Sequence, residues 1–354
     1  MPSAKSSSYK VVGLLCEGRE HNIFLAIQRG GDGRELVLKA PHPDRGRKDT
    51  AGCLTEEARL LALVSHPALP QVYPLAEYER GPALPMERIE GTLLRDLLLA
   101  GPLPPRAALD VVGALASALD AAHRAHDGGG VLVEVVHGGP TPDDVIIDQY
   151  GAVRLVGWSR CRSRLPRLGK RDESLQASPS ARAPEVSTGG TVGPPADIFA
   201  LGTLLVELLE GEQGPPLAVP PDKLDARRDE ALSRLAGPSM DGLLGLVREL
   251  LATEPGNRPA ADQVYARCVH ISLGLPGDNL AMTCAARREV IDEEKPTPIL
   301  DVWDRQPMPL DAKLDASAIS GPRPLVFGAI FGAIFGLIIA GIVALFTRKK
   351  KAQA

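Results

Sequence analysis

The sequence predicts an α+β protein, in which a small antiparallel β part precedes a larger helical part and a single transmembrane helix follows near the C-terminus. Residues 9–40 alternate short β-rich runs with turns rich in Gly and Asp. Long apolar segments with helical periodicity follow from about residue 91. Residues 325–346 carry no charge and are long enough to cross a bilayer core.

The N-terminal part is predicted to contain three strands, one helix and then further β-structure. The strands are the runs YKVVGLL, IFLAIQ and ELVLKA, and the later β-structure is QVYPLAEY and ALPMERI. Between them, apolar residues recur at helical spacing and a His-Pro pair marks the predicted end of the helix. These positions are Leu54, Ala58, Leu61, Val64, His66 and Pro67.

Three long apolar segments predict the helical part: PPRAALDVVGALASALDAAHRAH, DIFALGTLLVELLEG and MDGLLGLVRELLAT. The chain then becomes rich in Pro and Asp with little periodicity, which predicts a linker that is largely disordered. The predicted divisions are a tail at 1–8, a globular domain at 9–275, a linker at 276–324, a transmembrane helix at 325–346 and a basic tail at 347–354.

Composition excludes several classes of function. A formal net charge of -4 gives no basic surface for binding nucleic acid, so no nucleic-acid partner is expected. The five cysteines occur singly, without the spacing of a zinc site or a disulfide framework. Reduced thiols in a cytoplasm fit this pattern, and the N-terminus has no apolar run typical of a signal peptide.

The apolar segment predicts a retained membrane anchor. Because the chain lacks a signal peptide, we expect a single-pass protein with the globular domain in the cytoplasm, although the basic tail after the segment favours a cytoplasmic C-terminus. Gly328, Gly332 and Gly336 fall on one helix face, which is typical of close helix pairing and would permit a homodimer. Glycine is also common in membrane helices, so both readings stay open.

Seven positions in the predicted order resemble a eukaryotic-like Ser/Thr protein kinase domain of the bacterial type, over roughly residues 9–275. They match the strand-three lysine, the helix C glutamate, the gatekeeper, the start of the catalytic loop, the APE glutamate, the helix F aspartate and a late arginine. In this sequence they are Lys39, Glu57, Met86, His137, Glu185, Asp197 and Arg258. The resemblance implies a two-lobed fold, with an N-lobe at about 9–90 and a C-lobe at about 91–275.

The resemblance also shows which catalytic groups are missing. The position of the nucleophile-orienting aspartate holds Gly139, and the lysine two residues later is Thr141. The position of the first magnesium aspartate holds Gly157. Asp144 stands where the family has the second magnesium ligand, and it could hold one cation or be a solvated loop residue. No catalytic residue is therefore expected.

The nucleotide site is only partly retained. In the phosphate-covering loop only Gly18 matches the glycine pattern, and Val37 replaces the alanine that lies against adenine. The candidate nucleotide-binding residues are Gly18, Val37, Lys39, Glu57, Met86, Glu87 and Ile89. Lys39 and Glu57 could bind phosphate, or could only attach the helix to the sheet. The resemblance implies ATP as the cofactor, but a role without chemistry requires none.

A basic run follows the Gly157 segment. Arg160, Arg162, Arg164, Arg167, Lys170 and Arg171 lie where the family has its activation segment. This run could bind an acidic or phosphorylated partner, or could be a solvated loop.

Two hypotheses about function follow. The first is a membrane-tethered pseudokinase that serves as a scaffold or allosteric regulator of other signalling proteins, an active kinase among them. The second is a weak or atypical ATP-dependent Ser/Thr kinase that uses Lys39, Glu57 and Asp144. Binding of ATP that depends on Mg²⁺ and is abolished by Lys39→Ala would favour the second.

Overall fold

The structure is a computed structural model, and it describes residues 9–17, 21–29, 33–42, 50–78, 81–166, 181–211 and 221–294. All of these residues belong to one unit, with a β-rich lobe first and a helical lobe second. This order agrees with the fold class that the sequence predicts.

The N-terminal lobe is built on a five-stranded antiparallel sheet with the strand order β1-β2-β3-β5-β4. Its strands are β1 (Tyr9–Glu17), β2 (His21–Gln28), β3 (Glu35–Pro41), β4 (Ala76–Tyr78) and β5 (Gly81–Glu87). The three predicted N-terminal strands lie in β1, β2 and β3. Pairing of β3 with β5 places Val37 opposite Met86.

Helix α1 (Thr50–Leu61) lies next to this sheet and is shorter than the sequence predicted. Leu54 and Ala58 are buried, as their spacing indicated. The helix ends before Val64 because the amide of Val64 bonds to the carbonyl of Leu61, three residues back, at 3.2 Å. This tighter bond ends the α-helical ladder and turns the chain toward His66.

The C-terminal lobe is helical and buries most of its apolar residues around two central helices, α3 and α5. Its elements are α2 (Leu94–Leu99), α3 (Pro105–His123), α4 (Pro184–Ser187), α5 (Pro194–Glu210), α6 (Pro221–Leu235), α7 (Asp241–Leu250) and α8 (Ala261–Gly274). The three predicted apolar helices lie in α3, α5 and α7. Helix α6 is not predicted from the sequence, because its charged residues outnumber the few apolar ones that it buries.

A small antiparallel sheet next to the helical lobe positions the candidate site. Its strands are β6 (Thr92–Leu93), β7 (Val145–Ile147) and β8 (Val153–Leu155), in that order. The loop before β7 carries residues 137–144, and the loop after β8 carries residues 156–160. Because β7 and β8 are antiparallel neighbours, the start of β7 and the end of β8 bring these two loops together.

The predicted linker at 276–324 contains helix α9 (Leu280–Glu294), and this corrects the linker boundary. The helix is ordered by tertiary contacts that sequence periodicity does not show. Leu280 and Thr283 are buried, and Arg287 donates to the carbonyls of Leu97, Gly101 and Pro102. These bonds attach α9 to the end of α2 and to the loop that precedes α3.

Within the described ranges, no helix has the length and apolar character needed to span a membrane. The predicted span at 325–346, with Gly328, Gly332 and Gly336, lies outside the described residues. The 1–8 tail, the rest of the linker and the 347–354 tail lie outside them as well.

Candidate functional site

Lys39 of β3 and Glu57 of α1 form a buried ion pair at the edge of the site. The Nζ of Lys39 donates to the two carboxylate oxygens of Glu57 at 2.8 and 2.7 Å. A third bond, of 2.7 Å, joins the same Nζ to the Oγ of Ser159. The lysine therefore connects the sheet and α1 to the loop after β8.

Asp144 is the centre of a second network. Its Oδ2 accepts hydrogen bonds from the amide and hydroxyl of Thr141, at 3.1 and 2.8 Å. The bond from the amide is one half of a capping box between the two residues. The guanidinium of Arg160 donates to the same oxygen at 2.8 Å, and to the carbonyl of Gly139 at 3.3 Å. A cationic side chain of the protein thus joins Asp144 to the backbone at the position of the missing aspartate.

Gly157 makes this arrangement sterically feasible. Its φ of +81° lies in the left-handed region, and the one-turn 3₁₀ helix Trp158–Arg160 follows directly. A Cβ at this position would lie 1.8 Å from the Oδ1 of Asp144, far inside van der Waals contact. Position 157 therefore has no room for a side chain while Asp144 keeps its present place.

We expect Gly157→Ala to destabilise the protein by more than the backbone cost alone, which is about 1–2 kcal/mol for a left-handed L-residue. The added methyl must displace Asp144 from Thr141 and Arg160. The measurement is the free energy of unfolding in urea, followed by circular dichroism. Gly130→Ala is the matched control, because Gly130 has φ +79° and open space around its Cβ position. Equal losses for the two variants would contradict the predicted clash.

The loop that begins at His137 is held by Asp197 of α5. This fully buried carboxylate accepts the amides of His137, Gly138 and Gly139 at 2.8, 2.8 and 3.0 Å, and the Nε2 of His123 lies 3.0 Å from it. Both glycines have positive φ, +93° and +100°, which lets three successive amides point at one carboxylate. The glycine at position 139 thus has a backbone role in addition to lacking a side chain.

His137, the match to the start of the family's catalytic loop, has a structural place. Its ring is fully buried, and the Nε2 lies 2.9 Å from the carbonyl oxygen of Val156. The indole of Trp158 packs edge-on against the imidazole, with 4.7 Å between the ring centroids. Burial lowers the pKa of His137 below its ordinary value, because the charged form loses its hydration.

Glu185 and Arg258, the matches to the APE glutamate and the late arginine, form an ion pair. The two carboxylate oxygens accept from the guanidinium at 2.7 and 2.8 Å. Arg258 also donates to the carbonyls of Ala252 and Pro195, both at 2.9 Å, and lies 4.9 Å from the ring centre of Phe199. The pair joins α4 to the segment that precedes α8.

The remaining candidate nucleotide-binding residues that are described lie on β3, on β5 and just after β5. Val37 is partly buried and Met86 is buried, on neighbouring strands. Glu87 accepts from Arg154 at 2.6 Å and from the amide of Gln71 at 3.0 Å. Ile89 is half-buried, whereas Gly18 lies outside the described residues.

Three members of the basic run are described, Arg160, Arg162 and Arg164, and two of these three have intramolecular partners. Arg160 points inward to Asp144, and Arg164 forms an ion pair with Glu134 at 2.6 Å. Arg162 is half-buried and its backbone pairs with Val136. Arg167, Lys170 and Arg171 lie outside the described residues. The structure therefore assigns Arg160 to the interior of the site.

The side chains present do not fit a divalent cation. Beside a nucleotide, Mg²⁺ is usually held by one or two carboxylates together with phosphate and water oxygens. Here Asp144 is already bonded to Thr141 and Arg160, and Gly157 offers no ligand. No group of three or more His, Cys, Asp or Glu side chains suited to a metal ion occurs in the part of the chain that is described.

Two features of the site were missed in the sequence analysis. Ser159 is the third partner of Lys39, and Arg160 fills the space beside Asp144. Their only sequence signal is their position directly after Gly157 and Trp158. Within a run of basic residues, no sequence pattern distinguishes a side chain that turns inward from one that faces solvent.

The fold and the site define a protein of the kinase class: a five-stranded lobe with a Lys–Glu pair, a helical lobe, and a loop held by a buried aspartate. The family model described as "Protein kinase domain" matches residues 9–268. The chain therefore belongs to the protein kinase family.

Its relatives are bacterial Ser/Thr kinases. The chain is 29% identical over 291 residues to the serine/threonine-protein kinase pkn2 of Myxococcus xanthus, covering 76% of this chain and 33% of that protein. It is 29% identical over 231 residues to PknL of Mycobacterium tuberculosis, covering 64% and 55%. The alignments thus span between a third and about half of the length of these two relatives.

A solved structure shows the same fold. The crystal structure of the Mycobacterium tuberculosis PknI kinase domain matches with a TM-score of 0.56 and 22% identity, covering 77% of this chain and 100% of that one. This likeness supports the two-lobed architecture that the sequence predicted.

Proposed function

We propose that this protein is a pseudokinase: a kinase-fold signalling protein that acts as a scaffold or allosteric regulator without transferring phosphate. The observation that carries the proposal is the guanidinium of Arg160, bonded to Asp144 at 2.8 Å beside a glycine that admits no side chain. An internal cation thus occupies the surroundings where the family holds magnesium.

Phosphoryl transfer depends on metal ions, a phosphate cradle and a group that orients the nucleophile. Gly139 supplies no proton acceptor from a side chain, and placed acid–base help is typically worth about 10² to 10⁴ in rate. This single loss corresponds to roughly 3–5 kcal/mol of transition-state stabilisation. The loss of the carboxylate at Gly157 adds to it, because the metal has no second ligand there.

The residues that hold the fold together are all in place, which supports a binding role. The pairs Lys39–Glu57 and Glu185–Arg258 and the aspartate hub at Asp197 are complete. If the domain were only a spacer attached to the membrane helix, it would not need three buried charged networks. Burying such charges is costly unless every partner is present.

The proposed setting is a single-pass membrane protein with the kinase-like domain in the cytoplasm. The uncharged segment 325–346 supports the anchor, and its glycine face supports pairing with a second copy. The remaining basic residues, Arg162, Arg167, Lys170 and Arg171, would recognise an acidic or phosphorylated protein.

A weak or atypical Ser/Thr kinase is the second candidate, and the Lys39–Glu57 geometry favours it. Nζ to carboxylate distances of 2.7 and 2.8 Å are suited to a lysine that bridges the helix and a bound phosphate. In this reading Asp144 would exchange Arg160 for a cation when nucleotide binds.

Equilibrium binding of ATP to the full-length chain, with Mg²⁺ and with a chelator, decides between the two. We expect no Mg²⁺-dependent shift in the thermal midpoint and no transfer of labelled phosphate to the chain or to a general substrate protein. Binding that requires Mg²⁺, is lost in Lys39→Ala and leads to transfer would overturn the pseudokinase proposal.

Lys10→Ala is the matched control for that experiment, because Lys10 is an exposed lysine of β1. Circular dichroism of each variant shows whether Lys39→Ala still folds. Arg160→Gln adds a second arm: it removes the internal cation, and it should not restore transfer, because Gly139 and Gly157 remain.

A further inference from the structure

A groove between α3 and α8 lies in the helical lobe, apart from the candidate site. Its volume is about 190 Å³. Helix α3 comes close to α8 here because Gly113 lacks a side chain; a Cβ on it would lie 3.2 Å from the Cβ of Cys268. The groove is lined by Leu109, Asp110, Gly113, Ala114, Tyr265, Cys268, Val269 and Ser272.

One wall of the groove continues as an exposed apolar stripe on α8. Tyr265, Val269 and Leu273 are 45%, 45% and 78% exposed. Their four-residue spacing places all three on one helix face. Single exposed apolar residues are ordinary on a protein surface, but a row of three beside a groove is typical of a surface that receives another segment.

The direction of α9 determines how far from the groove the following part of the chain begins. The amide of Leu280 donates to Asp110, which lines the groove, at 3.0 Å. Arg287 bonds the carbonyls of Gly101 and Pro102, just before α3 begins. Helix α9 therefore runs antiparallel to α3, and with a rise of about 1.5 Å per residue its end at Glu294 lies about 21 Å from the groove.

Between α9 and the apolar segment 325–346, the Pro- and Asp-rich sequence contains an apolar run, Ile299-Leu300-Asp301-Val302-Trp303. Trp303 follows Glu294 by nine positions, and an extended chain of that length spans about 30 Å. Trp303 can thus reach back along α3 to the groove. An indole is the largest apolar side chain, and its polar N–H suits a site that also holds Asp110 and Ser272.

We propose that residues 299–303 fold back and dock on α3 and α8, with Trp303 in the groove and Val302 against the stripe of Val269. Arg106 lies one turn before Asp110 on the same face of α3, where it complements Asp301 and Asp304. Docking would leave residues 304–324 as the tether to the proposed membrane helix. The proposal is independent of whether the domain transfers phosphate.

The test is the environment of Trp303 in the full-length chain, reconstituted in lipid nanodiscs. The sequence has two tryptophans, and Trp158 is fully buried in the core. The difference between wild type and Trp303→Phe therefore isolates the fluorescence of Trp303. We expect a blue-shifted emission and a several-fold lower acrylamide quenching constant than for an exposed indole.

Val269→Glu should release the segment. A charge on the stripe opposes docking, so Trp303 emission should shift to the red and its quenching should rise several-fold. Val131→Glu is the matched control, because Val131 is 58% exposed and belongs neither to α8 nor to the residues that line the groove. It should leave Trp303 protected. Both valines are exposed enough that the substitutions should not unfold the domain, which circular dichroism would check.

Three outcomes would overturn the proposal. In the first, Trp303 is as accessible as a free indole in wild type. In the second, protection disappears when nanodiscs are diluted to one chain each, which would make a second copy the occupant. In the third, protection persists in Val269→Glu and a lipid-borne quencher reaches Trp303, which would place it at the membrane surface. A chain that does not enter nanodiscs refutes the anchor, and the fluorescence is then measured in buffer.

Discussion

Asp197→Ala is expected to lower the free energy of unfolding by about 3–5 kcal/mol, the typical cost of removing one partner from a buried charged network. The carboxylate is fully buried and accepts three backbone amides, from His137, Gly138 and Gly139, with His123 as a fourth partner. Its removal leaves these donors without acceptors in the interior. A domain of this size has only about 5–15 kcal/mol of stability to lose.

Urea unfolding of the full-length chain measures this loss. Asp197→Asn is the companion variant, because it keeps one oxygen for the amides of Gly138 and Gly139, and it should cost clearly less than the alanine. Asp262→Ala is the control, since Asp262 forms an exposed ion pair with Arg124 and should change stability by no more than about 1 kcal/mol. Similar losses at Asp197 and Asp262 would refute the hub role of Asp197.

The carboxylate of Asp197 also makes the stability loss of Asp197→Ala depend on pH. Burial alone would raise the pKa of Asp197, but the hydrogen bond and charge of His123 and the nearby His137 hold it below its ordinary value. A depressed pKa in the folded state stabilises the fold above the unfolded value of about 3.9. We therefore expect the penalty of Asp197→Ala to be constant near neutral pH and to shrink as the pH falls below about 4.

Glu185→Ala is the second large effect, again about 3–5 kcal/mol. The side chain of Arg258 has no exposed surface, and Glu185 neutralises it through two bonds of 2.7 and 2.8 Å. Without the glutamate, the guanidinium would keep only carbonyl acceptors and the face of Phe199. A buried cation without its anion is among the most destabilising changes that a fold can suffer.

A surface pair provides the comparison for this variant. Glu249 bonds Arg267 on the exposed side of α7 and α8, so Glu249→Ala should cost no more than about 1 kcal/mol. The double variant Glu185→Ala with Arg258→Met should recover part of the loss, because it removes the uncompensated charge as well. If Glu185→Ala and Glu249→Ala lowered the urea midpoint equally, the structural role of the Glu185 pair would be refuted.

The sequence predicted the elements of the fold whose apolar residues repeat at a local, regular spacing. The three strands of the N-terminal lobe and the apolar helices α3, α5 and α7 follow from periodicity alone. The ends of helices were less accurate: α1 stops at Leu61 because a tighter backbone bond forms there. Helix α9 was missed because its order depends on Arg287 and Leu280, whose partners lie about 170 to 190 residues earlier.

In the candidate site, too, some features follow from the sequence alone and others depend on contacts between distant residues. The sequence by itself determined the family, the order of the elements, and the absence of carboxylates at Gly139 and Gly157, since these are matters of residue identity at matched positions. Only the tertiary structure decided that, among the basic residues it describes in this run, Arg160 turns inward to Asp144. Arg160 reaches Asp144 because Gly157 is left-handed and a 3₁₀ turn follows it, and because β7 and β8 bring the two loops together. Such long-range placement has no signature in local sequence.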